Sequence, residues 1–213
     1  MNFDDFSKRI SKIKNLPLPG VDSHHKMAPL FRLEELEQIK NTAINTKKAA
    51  VLSLFYPSTQ QNTNLLLILR KTYKGVHSNQ IGFPGGRVEK KDKDLIETAL
   101  REAHEEVGVA PEHVEVIKSL TEIYIPPSNF NVYPYIGLYK NPRPFIIQES
   151  EVAALIEVSL TDFMNDELVF TEKLNTSYAE NIDVPAFKLN GYTVWGATAM
   201  MLSEVKELLK QIL

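Results

Sequence analysis

The spacing of apolar positions changes along the chain. Phe3, Phe6, Ile10 and Ile13 recur at intervals of three and four, the stripe of an amphipathic helix, and Pro17 and Pro19 end it. A second helical stretch is expected near Leu33 to Ile39. After Lys47 the pattern becomes that of strands. Ala49 to Tyr56 and Asn64 to Arg70 are rich in apolar residues and flank a polar turn at 58–63. A long loop without periodicity follows over 71–82 and runs into Phe83-Pro84-Gly85-Gly86. Loops of such length in compact domains are usually functional or disordered. A helix is predicted from Leu95 to Val107, opened by Asp94 with Glu97 three residues on and closed by Gly108. Strands are expected at 114–124 and 132–139 around the loop Pro126-Pro127-Ser128-Asn129-Phe130. Shorter strands follow at 152–158, 168–171 and 185–189, and a last helix covers 196–212. Strands mixed with a central and a terminal helix predict an α/β (α+β) domain, a mixed sheet covered by helices, over 48–213. Residues 1–47 read as a helical extension whose apolar stripe packs on its own domain or on a second copy in a homodimer.

Composition narrows the class. With 213 residues, 43% hydrophobic and 24% charged, the chain can bury a real core, which argues against a disordered or fibrous protein. Lysine and arginine number 24 against 27 acidic residues, so bulk electrostatics give no drive toward nucleic acid. Cysteine is absent, which excludes disulfides, thiolate catalysis and Cys-ligated zinc and fits a reducing cytoplasm. Met-Asn-Phe-Asp-Asp-Phe lacks the basic start of a secretory signal. The apolar run Leu65 to Leu69 falls far short of the roughly 20 residues a spanning helix needs. A soluble, cytoplasmic protein without a membrane partner is expected.

The strongest chemical signal is Arg101-Glu102-Ala103-His104-Glu105-Glu106-Val107-Gly108. Glu102, Glu105 and Glu106 stand at i, i+3 and i+4 and so share one helical face, while Ile96, Ala99, Leu100, Ala103 and Val107 form a separate apolar stripe. Neighbouring like charges repel by a few tenths of a kcal/mol, roughly, and a divalent cation turns that repulsion into attraction. Clustered carboxylates are the hard oxygen donors that Mg²⁺ or Mn²⁺ prefers. A solvated acidic face is the alternative. The preceding stretch 65–82 holds Arg70, Lys71 and Lys74 and no acid, and Gly85-Gly86 permits close backbone approach to a ligand. Cations beside a carboxylate helix are what hydrolysis of a phosphoanhydride requires. His77 lies in the basic loop, either on a phosphate or in a turn. His104 is expected in solvent, and His24 and His25 lack a ligand set for zinc. Trp195 reads as core, with stacking on a base as the alternative, and Tyr124 and Phe130 bracket the Pro-Pro loop.

Gly86 to Val109 resembles the Nudix box. Every defined position from Arg101 to Val109 matches its Arg-Glu-aliphatic-x-Glu-Glu-x-Gly-aliphatic half. Gly86 to Arg101 is one residue longer than the pattern, and Asp92 stands at the upstream glutamate position. The longer spacing also occurs in the coenzyme A-hydrolysing subfamily. His77, Gln80 and Phe83 to Gly86 resemble that subfamily, as do Pro126 to Phe130, Glu151-Val152-Ala153 and Trp195 to Ala199. The chain departs from it at Gly75, where the subfamily has arginine, and at Asn79, where it has glycine. The resemblance implies an α/β/α sandwich with a catalytic loop-helix-loop and metal-dependent diphosphate hydrolysis. It implies Mg²⁺ or Mn²⁺ on Glu102, Glu105 and Glu106 with the Gly85 or Gly86 carbonyl. Arg101 would orient the glutamates. The base would be Glu105 or a residue of the later loop holding Glu149 and Glu151, of which Glu151 is the better match. Candidate substrate contacts are Arg70, Lys74, His77, Phe83, Gly86 and Phe130. The implied substrate is coenzyme A or a thioester of it. The alternatives are ADP-ribose, dinucleotides or nucleoside triphosphates, and a nucleotide sensor without catalysis.

Overall fold

A computed structural model describes residues 1–29, 32, 45–71, 80–174 and 182–213. The helix expected near Leu33 to Ile39 lies outside them. Two long strands, β1 (Lys47–Pro57) and β2 (Thr63–Arg70), pair antiparallel across the polar turn. β1 also runs parallel to β7 (Phe130–Tyr139), so the sheet is mixed as expected. β2 carries β3 (Ile81–Gly82) and β8 (Val152–Ser159). β7 carries β5 (Val114–Ser119) and β6 (Ile123–Ile125). A separate three-stranded sheet joins β9 (Val169–Leu174), β10 (Ile182–Leu189) and β11 (Tyr192–Trp195).

Alternation along the strands divides the core into two layers. Ala50, Leu52, Leu54 and Tyr56 of β1 and Leu66 and Ile68 of β2 face Ala99, Ala103 and Val107 of the long central helix (Leu95–Val107). Phe55, Leu65 and Leu67 face the other way, into a cluster with α1 (Phe3–Ile10) and the terminal helix (Gly196–Lys210). With α2 (Val21–His25) and a short helix at Leu160–Met164 also in the chain, the central helix is α3 and the terminal one α5. Helices cover both faces of the sheet, an α/β/α sandwich. Small side chains at 99 and 103 let α3 lie close to β1. Ile96, expected in its apolar stripe, is instead exposed, because the packed face is centred on Ala99 and Ala103.

The stripe of α1 is spent within the chain. Phe3, Phe6, Ile10 and Ile13 are all buried, and the Phe6 ring stands 5.0 Å from that of Phe55. Nothing of it remains for a second copy. Behind α1 a polar cluster ties α2 to α5. The fully buried Glu204 accepts from Thr121 Oγ1 at 2.6 Å, from the backbone N–H groups of Thr121 and Gly20, and pairs with His24 Nε2 at 3.1 Å. Burial pushes its pKa up, but the hydrogen bonds of His24 and Thr121 outweigh that and hold it below the usual carboxylate value. Its contribution is therefore complete above the ordinary glutamate pKa and is lost as pH falls through the lower folded value. Glu204→Ala, which strands these buried donors, is expected to cost about 3 kcal/mol in urea unfolding at pH 7. A change below about 0.5 kcal/mol, the scale of ordinary surface substitutions, would contradict this reading. Among the described residues no helix is long and apolar enough to cross a membrane.

Candidate active site

The carboxylate helix begins and ends where its capping residues set it. Asp94 accepts from the Glu97 backbone N–H at 2.8 Å, and Gly108 takes the left-handed conformation, φ 73°, that closes the last turn. Its orientation is fixed from the side by β4 (Gly85–Arg87), a strand of three residues antiparallel to β1. Gly85 passes so close to β1 that a Cβ there would stand 2.4 Å from the Ala50 carbonyl oxygen, with φ at 150°. At Gly86 a Cβ would meet the Glu102 carboxyl carbon at 2.5 Å. The two glycines thus let the chain turn and let Glu102 lie against it. Gly86→Ala should leave stability almost unchanged, since the end of one flexible side chain can yield. By displacing Glu102 it should lower kcat roughly 10–10²-fold at saturating Mn²⁺. Unchanged kcat would show that the position of Glu102 is unimportant.

The three glutamates do not behave alike. Glu106 is buried, its side chain 2% exposed. Oε2 accepts from the Gly85 N–H at 2.8 Å, and Oε1 accepts from Arg70 Nη2 at 3.1 Å. Burial pushes its pKa up to about 7, although Arg70 and the Gly85 N–H pull the other way. Glu102 is largely buried as well, and desolvation raises its pKa against the pull of Arg101. Glu105 is exposed and turned aside, held by Arg101 Nη1 at 2.9 Å and Lys91 at 3.4 Å. Glu151 is exposed just before β8, and its charge raises the pKa of both Glu102 and Glu106. Its backbone is pinned by bonds from its N–H to the Gln148 carbonyl and from the Lys71 N–H to its own carbonyl.

Arg101 links the set. Nε and Nη2 grip Asp92 at 2.8 and 3.1 Å, Nη1 donates to Glu102 at 2.8 Å, and Nη2 reaches the Arg87 carbonyl at 3.0 Å. Asp92 also accepts from the Glu89 N–H and the Thr98 hydroxyl, each at 2.8 Å. Its bonds with Arg101 hold its pKa well below the usual carboxylate range, and Arg101 is raised in turn, chiefly by Asp92. The extra residue of spacing therefore leaves Asp92 in contact with Arg101.

The basic stretch meets expectation only in part. Arg70 points at the site, but its Nη2 donates to the Gly85 carbonyl at 2.6 Å as well as to Glu106. Lys71 reaches the Glu149 carbonyl at 2.6 Å. Lys74 and His77, with Gly75 and Asn79, lie outside the described residues. Phe83 was expected on substrate; its ring is instead buried in the cluster shared with α1 and α5, which leaves it no surface to offer. Phe130 is half-buried under the Lys47 ammonium, 5.6 Å from the ring centre, and pairs with Lys47 at the Gly86 end of β1. Tyr124 donates to Asn129 Oδ1 at 3.1 Å and shapes that loop. Trp195, expected as core, is half-buried at the start of α5, and His104 is exposed as expected.

A NUDIX domain profile matches residues 46–175. The chain belongs to the Nudix family. It is 32% identical over 177 residues to NudL of an Enterobacter species, named an uncharacterized Nudix hydrolase, covering 79% of this chain and 85% of that protein. Nudix hydrolase 15, mitochondrial, of Arabidopsis thaliana is 32% identical over 161 residues, 73% of this chain and 56% of that protein. Among solved structures, the Nudix hydrolase RenU of M. smegmatis aligns at TM-score 0.55 and 18% identity over 82% of this chain and 93% of that one, a likeness of fold. Family membership makes the chain a hydrolase of diphosphate linkages, a class that works with Mg²⁺ or Mn²⁺. Its donors fit such an ion in kind. Glu102 and Glu106 are desolvated carboxylates with raised proton affinity, and the Gly85 carbonyl borders Glu106 through Arg70. Among the described residues, no three histidine or acidic side chains are grouped so that they could hold an ion as they stand, because Glu105 leans to Arg101 and Lys91.

Proposed function

We propose that this Nudix enzyme hydrolyses the diphosphate linkage of coenzyme A or its thioesters, giving (acyl-)4′-phosphopantetheine and adenosine 3′,5′-bisphosphate. One observation carries the substrate choice: segments distant in sequence that resemble the coenzyme A-cleaving subfamily meet at one place. The Thr198 hydroxyl, from the Trp195 to Ala199 segment, donates to the Ile81 carbonyl at 3.0 Å, two residues before Phe83-Pro84-Gly85-Gly86. Val152, from Glu151-Val152-Ala153, pairs with Arg70 on the adjoining strand.

Glu102, Glu106 and the Gly85 carbonyl would hold Mg²⁺ or Mn²⁺, with Glu105 able to join by turning from Arg101. The bound cation would offset charge on the diphosphate and lower the pKa of water. Arg101 is occupied by Asp92, Glu102, Glu105 and the Arg87 carbonyl, so it orients carboxylates and does not touch substrate. Glu151, an exposed carboxylate near Glu102 and Glu106, accepts a proton from the attacking water. The water oxygen bonds to one phosphorus as the bridging P–O bond breaks, and two monophosphates leave. Lys74, His77 and Phe130 are proposed as substrate contacts flanking the diphosphate.

Chromatography after incubation with coenzyme A and Mn²⁺ tests this reading. Appearance of both monophosphates supports it, and no turnover across metals and pH would reject it. Preferential cleavage of ADP-ribose, a dinucleotide or a nucleoside triphosphate would keep the chemistry and replace the substrate. Tight nucleotide binding without cleavage would point to a sensor.

A further inference from the structure

Arg70 has a placement that substrate binding alone does not explain. It is the last residue of β2, where the pairing with β8 shifts register between Leu69 and Arg70, an irregularity that re-aims a side chain. The guanidinium is directed inward, with its side chain 27% exposed, and Nη2 is hydrogen-bonded to the Gly85 carbonyl at 2.6 Å and to Glu106 Oε1 at 3.1 Å. One nitrogen therefore joins the two oxygens proposed above as cation ligands, and it brings a full positive charge to them.

We infer that Arg70 is an internal counter-cation, a positioning residue that competes with the divalent ion for Glu106 and the Gly85 carbonyl. The inference rests on the metal reading proposed above. A guanidinium and a divalent ion repel strongly when they share ligands in a largely buried site, where little water screens them. Entry of the ion turns Arg70 out of these two hydrogen bonds. The released guanidinium then faces the same cleft as the ion and is free to make a bidentate contact with a phosphate of the diphosphate. Binding of ion and of substrate phosphate are coupled through this side chain: it masks the ligands before the ion arrives and serves the anion afterwards.

Mn²⁺ titration by calorimetry at pH 7.5, without substrate, tests this on wild-type, Arg70→Gln and Arg70→Lys chains. Arg70→Gln is expected to bind Mn²⁺ about tenfold more tightly than wild type, the scale of effect of a residue contacting metal ligands. Arg70→Lys, which keeps the charge but loses the planar fork, should fall between them. Equal or weaker binding by Arg70→Gln would overturn the competition and leave the metal reading standing. Failure of the wild type to bind Mn²⁺ at all would overturn both. A measurement on the wild type avoids dependence on the variants' folding. The Arg70 Nε–H resonance should shift and exchange faster with solvent on Mg²⁺ addition, and an unmoved resonance while Mg²⁺ binds would contradict release.

Discussion

Glu106→Gln is expected to lower kcat by about 10²–10³-fold while making the metal-free chain more stable at pH 8. The two effects have one cause. Glu106 is buried, and its pKa is pushed from 4.5 up to about 7 by desolvation, so its ionised form is disfavoured in the folded chain. Between about pH 4.5 and 7 the folded chain holds a proton that the unfolded chain has released. Stability therefore falls as pH rises through that window, and the whole cost remains above it. Glutamine removes the charge and keeps an oxygen for the Gly85 N–H, but sets its amide against Arg70. The net gain expected above pH 7 is on the order of 1–2 kcal/mol, and it should vanish near pH 5. Thermal unfolding in EDTA at pH 5 and pH 8, with kinetics at saturating Mn²⁺, reads both arms. Near-wild-type kcat would refute the metal role. A variant less stable than wild type at pH 8 would show that Arg70 and Gly85 more than compensate the carboxylate.

Arg101→Lys is expected to lose most activity and about 2–3 kcal/mol of stability despite keeping the charge. Arg101 is 11% exposed and divides its three nitrogens among Asp92, Glu102, Glu105 and the Arg87 carbonyl, geometry that a single ammonium cannot reproduce. Asp92, with its side chain 2% exposed, would lose a bidentate partner. Its depressed folded pKa means that its contribution is present above the unfolded aspartate value and lost as pH falls through the folded one. The variant should therefore lose the part of the acid dependence of stability below about pH 4 that Asp92 supplies, while the part due to Glu204 remains. On the role proposed for Arg101, orienting carboxylates without touching substrate, kcat should fall while KM changes little. A change confined to KM would place Arg101 on the substrate.

The parts of this architecture that were legible in the sequence are those with local causes. The bounds of α3 follow from Asp94 and Gly108, whose cap geometry needs no tertiary contact. The stripe of α1 and the strands β1 and β2 follow from periodicity. The short strands β3 and β4 were not legible, because they hold only two and three residues, mostly glycine, and exist through pairing with β2 and β1. Only the fold shows that Ile96 lies outside the packed face of α3, or that Phe83 is core. The grip of Arg101 on Asp92 had a signal in the near-match to the upstream glutamate position. The His24–Glu204 pair spans 180 residues and had none. Arg70 was visible as a cation beside the carboxylate helix, but its choice of Glu106 and a backbone carbonyl depends on the register shift at the end of β2.

The most direct measurement is a ranking of kcat/KM at saturating Mn²⁺ for coenzyme A, an acyl-coenzyme A, ADP-ribose, a dinucleoside polyphosphate and a nucleoside triphosphate, with Glu106→Gln as control. Coenzyme A or its thioester should lead the ranking, both monophosphate products should form, and the variant should lose turnover on every substrate. ADP-ribose, a dinucleotide or a triphosphate at the head of the ranking, or equal turnover by the variant, would contradict this.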